Sequence, residues 1–272
     1  MNYTSNPTVS VVMATYNRGV MVCQTIKNIL EQDYRPLELI VVNDGSKDDT
    51  QHLLEELQKA YSFVLVQNHQ NLGLQKSLNK GLQQATGKYI ARIDDHDTWL
   101  TKDKLTKQVA FLEIHPEVGI VGTGYQIGEK TMLNPLTDTA IRQQMLFRCP
   151  FCHVTMVMRS DIVKKLGGYN ENLPYSEDWE LWLRIGQQTQ LANLSDITVA
   201  VTEEEASLSS DFFLKQLPLN SRIVQKHLKN YPNGFKARIY HSFLQSFFTL
   251  FPLNGRVHRG MQRVFSLLFL RG

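Results

Sequence analysis

A chain of 272 residues is long enough for one large α/β domain or two small ones, and 42% apolar with 20% charged residues is ordinary globular composition with a sizeable core. Three cysteines, Cys23, Cys149 and Cys152, are too few and odd in number for a disulfide framework, which suits a reducing, cytoplasmic setting; neither a signal peptide nor an apolar run of about 18 residues is in view. The net charge of +3 conceals a split, because every acid lies at or before Asp211 and ten Lys and Arg follow it with no acid among them. Such a basic tail suits an anionic surface, and nucleic acid is the poorer candidate because the acidic body would oppose it.

Taken in order, Val9–Ala14 reads as a buried strand and the turn Thr15-Tyr16-Asn17-Arg18-Gly19 follows it. Val20–Gln32 has helical periodicity through Val22, Ile26, Ile29 and Leu30, closed by Arg35-Pro36. Leu37–Val42 is a second strand, ending at Asn43-Asp44-Gly45-Ser46, and Asp48 or Asp49 starts a helix to about Lys59. Phe63–Val66 is a third strand, Leu74–Ala85 a helix, and Tyr89–Ile93 a fourth strand. Short apolar strands alternating with amphipathic helices predict a parallel, doubly wound sheet, with the polar cluster after each strand gathered on one rim.

The fourth strand breaks off into Asp94, Asp95, His96 and Asp97. One Asp would suffice to end a strand and cap a helix; three carboxylates and an imidazole together would repel unless a cation or a proton joined them. No Gly-x-Gly-x-x-Gly follows the first strand, which argues against a dinucleotide site, and Gly128-Glu129-Lys130-Thr131 lacks the spacing of a phosphate-binding P-loop. Cys149-Pro-Phe-Cys152-His153 has no second cysteine pair to complete a zinc site, so buried structural thiols are expected.

Further along, Asp103–His115 reads as a helix, Val118–Gly122 as a strand, Asn134–Phe147 as a Pro-bearing loop leading into a helix, and Phe151–Met158 as β-like. Ser160-Asp161 caps a helix that ends at Gly167-Gly168. Then comes Tyr175-Ser-Glu177-Asp178-Trp179-Glu-Leu-Trp182-Leu-Arg184, where two acids lead an aromatic helix. Acids there suit the helix dipole, and equally could hold a general base over a pocket. Residues 210–230 look helical with a break at Pro218, and Ile239–Leu250 and Val257–Leu270 are apolar segments carrying Arg, His and Gln. Their Phe residues beside Arg256, Arg259 and Arg263 suit interfacial helices on anionic lipid; the alternative is packing on the preceding domain or a dimer contact.

Together these stretches resemble the family 2 glycosyltransferases of the GT-A fold, in order from about residue 8 to 209. Val9-Ser-Val-Val-Met-Ala-Thr-Tyr-Asn17 is similar to that family's opening strand, and Leu39-Ile-Val-Val-Asn-Asp-Gly-Ser-Lys-Asp-Asp-Thr50 to its second strand with the nucleotide-binding aspartate. Asn71-Leu-Gly-Leu-Gln-Lys-Ser-Leu-Asn-Lys-Gly81, Gly87-Lys-Tyr-Ile-Ala-Arg-Ile-Asp94 and Glu177-Asp178-Trp-Glu-Leu-Trp-Leu-Arg184 continue the pattern. The resemblance implies a GT-A domain over 1–210, with a nucleotide-binding half at about 7–97 and an acceptor half at about 98–210, followed by a helical tail over 211–272. It also implies a nucleotide-sugar donor (a UDP-sugar favoured), a divalent cation and inversion at the anomeric carbon.

By position, Tyr16 would stack on the base, with Thr15 and Asn17 beside it, and Asp44 would hydrogen-bond base or ribose. Lys76 would neutralise base or phosphate oxygens, and Asp94, with Asp95, would contact ribose or metal. His96 stands where the family usually has Asp; imidazole ligates Mn²⁺ well and Mg²⁺ poorly, so Mn²⁺ is favoured, with Asp94, His96 and Glu204 as ligands. Glu204 occupies the place of a histidine found in many relatives, and a solvated acidic loop is the plain alternative. Asp178 would be the general base, Glu177 second choice, and His153 and Trp179 would line the acceptor side, although His153 fits a satisfied core position as well. The expected enzyme moves sugar to a glycan or lipid-linked acceptor at the cytoplasmic face of a membrane; a catalytically silent nucleotide-sugar-binding module is the competing reading.

Overall fold

The computed structural model describes residues 6–202, 210–251 and 255–271. Strand β1 (Val9–Thr15) is buried along its whole length, so Val11 and Met13 pack below the sheet while Val12 and Ala14 pack above it. Helix α1 (Gly19–Leu30), β2 (Leu37–Asn43), α2 (Thr50–Gln58), β3 (Val64–Gln67), α3 (Leu74–Gln84) and β4 (Tyr89–Arg92) follow. Strand β2 pairs parallel with β1 and β3, and β1 pairs parallel with β4. The first half is therefore the predicted parallel, doubly wound unit, and the strand ends of β1, β2 and β4 share one rim.

The second half departs from an all-parallel sheet. It contains β5 (Thr98–Trp99), α4 (Lys104–Ile114), β6 (Val118–Ile127), β7 (Lys130–Met132), α5 (Asp138–Gln144), β8 (Val157–Arg159), α6 (Ser160–Lys165), α7 (Glu177–Ile185) and β9 (Gln190–Val201). The sheet order is β3-β2-β1-β4-β8-β6-β9-β5, with β7 paired to β6. Strand β8 runs antiparallel to both β4 and β6, and β5 antiparallel to β9. Of the expected β-like stretch 151–158, His153–Thr155 is a 3₁₀ turn and only its end joins the sheet.

The tail folds as α8 (Ser210–His227), α9 (Gly234–Leu250) and α10 (Gly255–Arg271). Pro218 does not break α8 as expected; the helix runs through it. A proline inside a helix costs about 3 kcal/mol, and burial of the flanking Leu217, Ile223 and Val224 in the core offsets that cost. Tyr240, Leu244 and Phe248 of α9 join the same core, which contains Met145, Trp179 and Trp182. The inner faces of the tail thus pack on the catalytic body, while Phe235, Ile239 and Leu250 of α9 and Val257, Val264 and Leu268 of α10 stay exposed. No helix among the described residues is long and apolar enough to cross a membrane.

Candidate active site

At the rim where β1, β2 and β4 end lies a hollow of about 660 Å³, walled by Thr15, Tyr16, Arg18, Asp44, Asn71, Gly73, Leu74, the run Asp94–Asp97 and Thr202. Tyr16 is 40% exposed, so a flat ring is available at this wall. The Thr15 hydroxyl is buried and makes no hydrogen bond with any described residue. Buried polar atoms are almost always paired, so a buried hydroxyl on the wall of a hollow is a natural partner for a polar ligand atom.

Asp44 is buried and already at work within the chain: it accepts from Asn68 Nδ2 (2.8 Å), Leu72 N (2.8 Å) and Gly73 N (2.9 Å). It thereby fastens loop 68–73 at the start of α3, and a carboxylate keeps capacity for a further donor. Gly45 stands at φ +71 against this loop, and a side-chain carbon there would overlap the backbone of Gln70. Asn17, at φ 55, is a strut: its backbone N donates to Ser46 Oγ (2.9 Å) and its Oδ1 accepts from Lys47 N (2.7 Å). Lys76 is exposed on α3 and is not among the walls of the hollow.

The acidic run is held from several sides. Arg92, fully buried on β4, pairs with Asp94. Burial is the largest influence and would push the Asp94 carboxyl up, but the charge and hydrogen bond of Arg92 together with the His153 and His96 charges hold the group below the usual carboxylate range. Arg18 Nε lies 3.7 Å from Asp95 Oδ1, which also meets His96 Nδ1 at 2.9 Å, and that hydrogen bond raises the imidazole's affinity for a proton. Asp97 is buried, which pushes it up to about 6, with the Asp94 charge adding to the shift and a hydrogen bond from Thr202 N (2.9 Å) opposing it. Among the described residues no group of three or more His, Cys, Asp and Glu side chains is arranged to hold a metal. Asp94 and His96 do share one wall of the hollow, and a carboxylate with an imidazole is a partial donor set that suits Mn²⁺. Glu204 lies outside the described residues.

Helix α7 carries the other acids. Its first residue follows Ser176, held at φ 59, and starts the helix with Glu177 and Asp178. Glu177 is buried and accepts from Gln75 Nε2 (3.3 Å); burial, then the Asp178 charge, push its carboxyl up to about 7. Asp178 is also raised, chiefly by burial, while its Oδ1 accepts from Trp179 N at 2.7 Å. Both acids line a hollow that Gly73 and Leu74 share with the donor-side hollow. Only Asp178 also lines a third cavity on its far side, with Trp179, Arg148 and Cys149. Of the two acids, Asp178 is the one on the walls of both cavities.

Trp179 lines that third cavity, and its Nε1 donates to the Met145 carbonyl (2.8 Å). His153 is half-buried and hydrogen-bonded: its Nε2 meets Tyr169 Oη at 2.8 Å, and desolvation lowers its pKa to about 3. Cys149 and Cys152 are free thiols pushed up by burial, and Cys149 Sγ lies 4.0 Å from Asp178 Oδ2. Two contributors escaped the sequence reading. Arg92 shares a strand face with Asp94 two residues on, a charge in an apolar strand that was a legible signal; Asn68 reaches Asp44 only through folding.

Residues 10–167 match the model of Glycosyl transferase family 2. An uncharacterized glycosyltransferase of Haemophilus influenzae is 34% identical over 87% of this chain and 78% of its own length. The Escherichia coli UDP-Glc:alpha-D-GlcNAc-diphosphoundecaprenol beta-1,3-glucosyltransferase WfaP is 27% identical over 80% of this chain and 85% of its own. In fold, the chain is similar to residues 1–349 of S. aureus TarS in complex with UDP-GlcNAc (TM-score 0.69, 20% identity, 89% of this chain and 73% of that one). It spans 43% of the longer TarS chain. It is also similar to a Pyrobaculum calidifontis mannosyltransferase in complex with GDP-Man and Mn²⁺ (TM-score 0.64, 20% identity, 88% and 70%).

Proposed function

The chain belongs to glycosyl transferase family 2, and from that premise we propose that it is an inverting enzyme with Asp178 as general base. It moves a sugar from a nucleotide-diphosphate sugar, a UDP-sugar favoured, to a hydroxyl of a glycan or lipid-linked acceptor in polysaccharide biosynthesis. The observation that carries this reading is the position of Asp178 on the walls of two hollows, one adjoining the donor side and one beyond it. A single displacement needs one base on the face opposite the leaving group, whereas glycoside hydrolysis needs two facing carboxylates. Thr15, Tyr16 and Asp44 bind the nucleoside, and Arg18 adds positive charge on the same wall. Asp94 and His96 would hold a divalent cation, Mn²⁺ rather than Mg²⁺, which as a Lewis acid would neutralise charge on the departing diphosphate.

The lipid-linked acceptor is supported by the glycosyl diphosphoundecaprenol in the name of the E. coli relative and by the tail. Exposed Phe235, Ile239, Leu250, Val264 and Leu268 beside a run of basic residues suit peripheral attachment to an anionic membrane, on its cytoplasmic face. The test is Asp178→Asn. General-base catalysis is worth roughly 10²–10⁴-fold, so the variant should lose transfer by that factor and keep the parent's donor affinity, because the base acts only in the transition state. Equal losses of binding and transfer would move Asp178 to the donor site.

A further inference from the structure

The cavity that Asp178 shares with Trp179 is walled mostly by the body of the protein and closed in part by the C-terminal helices. Its volume is about 240 Å³, and beside Asp178 and Trp179 its walls include Asn220 of α8 and Gln262 and Ser266 of α10. Gln262 and Ser266 are one helical turn apart and so share a face. Val264 and Leu268, on the other side of α10, are exposed. The helix is therefore two-sided, with amide and hydroxyl groups turned to the cavity and a branched apolar stripe turned outward.

Helices α8 and α9 are also tied to residues that flank Asp178, and α10 is tied to α9. Ser176 Oγ donates to Asn220 Oδ1 at 2.6 Å, which secures the residue at φ 59 that leads into Glu177 and Asp178. A left-handed backbone at a non-glycine residue is unfavourable and persists where its surroundings hold it. On α9, buried His241 lies 6.2 Å from Trp179, ring to ring, and its Nε2 donates to the Leu146 carbonyl at 2.7 Å. Tyr240 Oη donates to the Gln262 carbonyl at 3.2 Å, so α9 also sets the position of the α10 residue that lines the cavity.

We propose that the tail is part of the active site, and that Gln262, Ser266 and Asn220 complete a subsite for the pyranose ring of the acceptor. The chemistry is that of carbohydrate recognition: amide and hydroxyl groups around a small cavity, with the aromatic residues Trp179 and Tyr125, the Asp178 carboxylate and the Arg148 guanidinium also among its lining. The inference rests on the glycosyltransferase reading and assigns it a specificity-determining edge on α10. One helix would then serve both membrane contact and acceptor recognition, bringing a lipid-linked sugar to Asp178 from the surface on which the lipid lies.

The experiment uses the full chain in detergent micelles with the UDP-sugar that binds it. The acceptor probes are decyl glycosides of glucose, galactose, mannose and N-acetylglucosamine, together with decyl-diphosphate-linked N-acetylglucosamine. Gln262→Ala removes the amide and Gln262→Trp fills the cavity; both are compared with the parent for acceptor KM, donor Kd and acceptor-independent donor hydrolysis. The expected result is a tenfold or greater rise in acceptor KM for both variants, with donor Kd and hydrolysis within twofold of the parent and unchanged melting temperature. An acceptor KM within twofold of the parent in Gln262→Trp overturns the subsite while leaving the transferase reading intact. Donor hydrolysis that none of the glycosides stimulates overturns the pyranose assignment. A parent that neither binds nor hydrolyses any donor overturns the transferase reading itself.

Discussion

At the scale of single residues, adjacent acids on one helix stand in different surroundings. Glu177 is buried and pushed up to about 7, whereas Asp178 reaches cavities on both sides of the motif. The pH consequence has a definite sign. Below the ordinary glutamate pKa the side chain is protonated in both folded and unfolded chains, and its burial costs nothing in charge. As pH rises from there through about 7, the unfolded chain ionises first, and stability is progressively lost. Glu177→Gln removes the titration, so its melting temperature should gain on the parent's between pH 5 and pH 8, by roughly 2 °C or more for a domain of this size. Parallel melting curves across that range would place Glu177 in a more solvated setting.

At the scale of elements, what could be read from sequence was what is settled locally. Strands β1 to β4 are short apolar runs between amphipathic helices, buried in β1 and β4 and for most of β2, and each is recognisable from its own ten residues. Strands β8 and β9 depend on partners far along the chain: β8 is three residues fitted between β4 and β6, and β9 pairs with β6 across irregular register. No local pattern announces such pairings, and β9 has no counterpart in the sequence reading. At the site, the acidic run and α7 were legible as motifs. The contacts that tune them, Arg92 on Asp94 apart, come from across the fold: Asn68 to Asp44, Asn220 to Ser176 and His241 beside Trp179. Pro218 failed as a helix stop because the packing of α8 outweighs the local preference. Pro218→Ala should therefore stabilise the protein, by about 1–3 kcal/mol in urea unfolding. A loss of stability would mean that the ring makes a packing contribution greater than the helix cost.

At the scale of the molecule, the sheet rim gathers Thr15, Tyr16, Asp44 and the acidic run, and the tail adds walls to the cavity beside Asp178. The outward stripe of α9 and α10 remains for a surface, and the excess of basic residues after Asp211 gives that surface a sign. Leu268→Glu adds a negative charge to the exposed stripe without entering the core. It should weaken binding to vesicles containing anionic phospholipid by tenfold or more in a flotation assay, while binding of the parent should fall with added salt. Unchanged flotation by the variant would detach the stripe from membrane contact.

The central claim is that the rim hollow binds a nucleotide-sugar with help from a cation at Asp94 and His96. Calorimetry and thermal shift with UDP-, GDP-, dTDP- and CMP-sugars, each with and without Mn²⁺, test it most directly. Saturation at a hundredfold over Kd stabilises a folded protein by about 2.7 kcal/mol, so a specific donor should give a clear upward shift in melting temperature. The account predicts that a UDP-sugar does so, and does so more strongly with Mn²⁺. A folded protein that responds to none of these donors, with or without the metal, would contradict it.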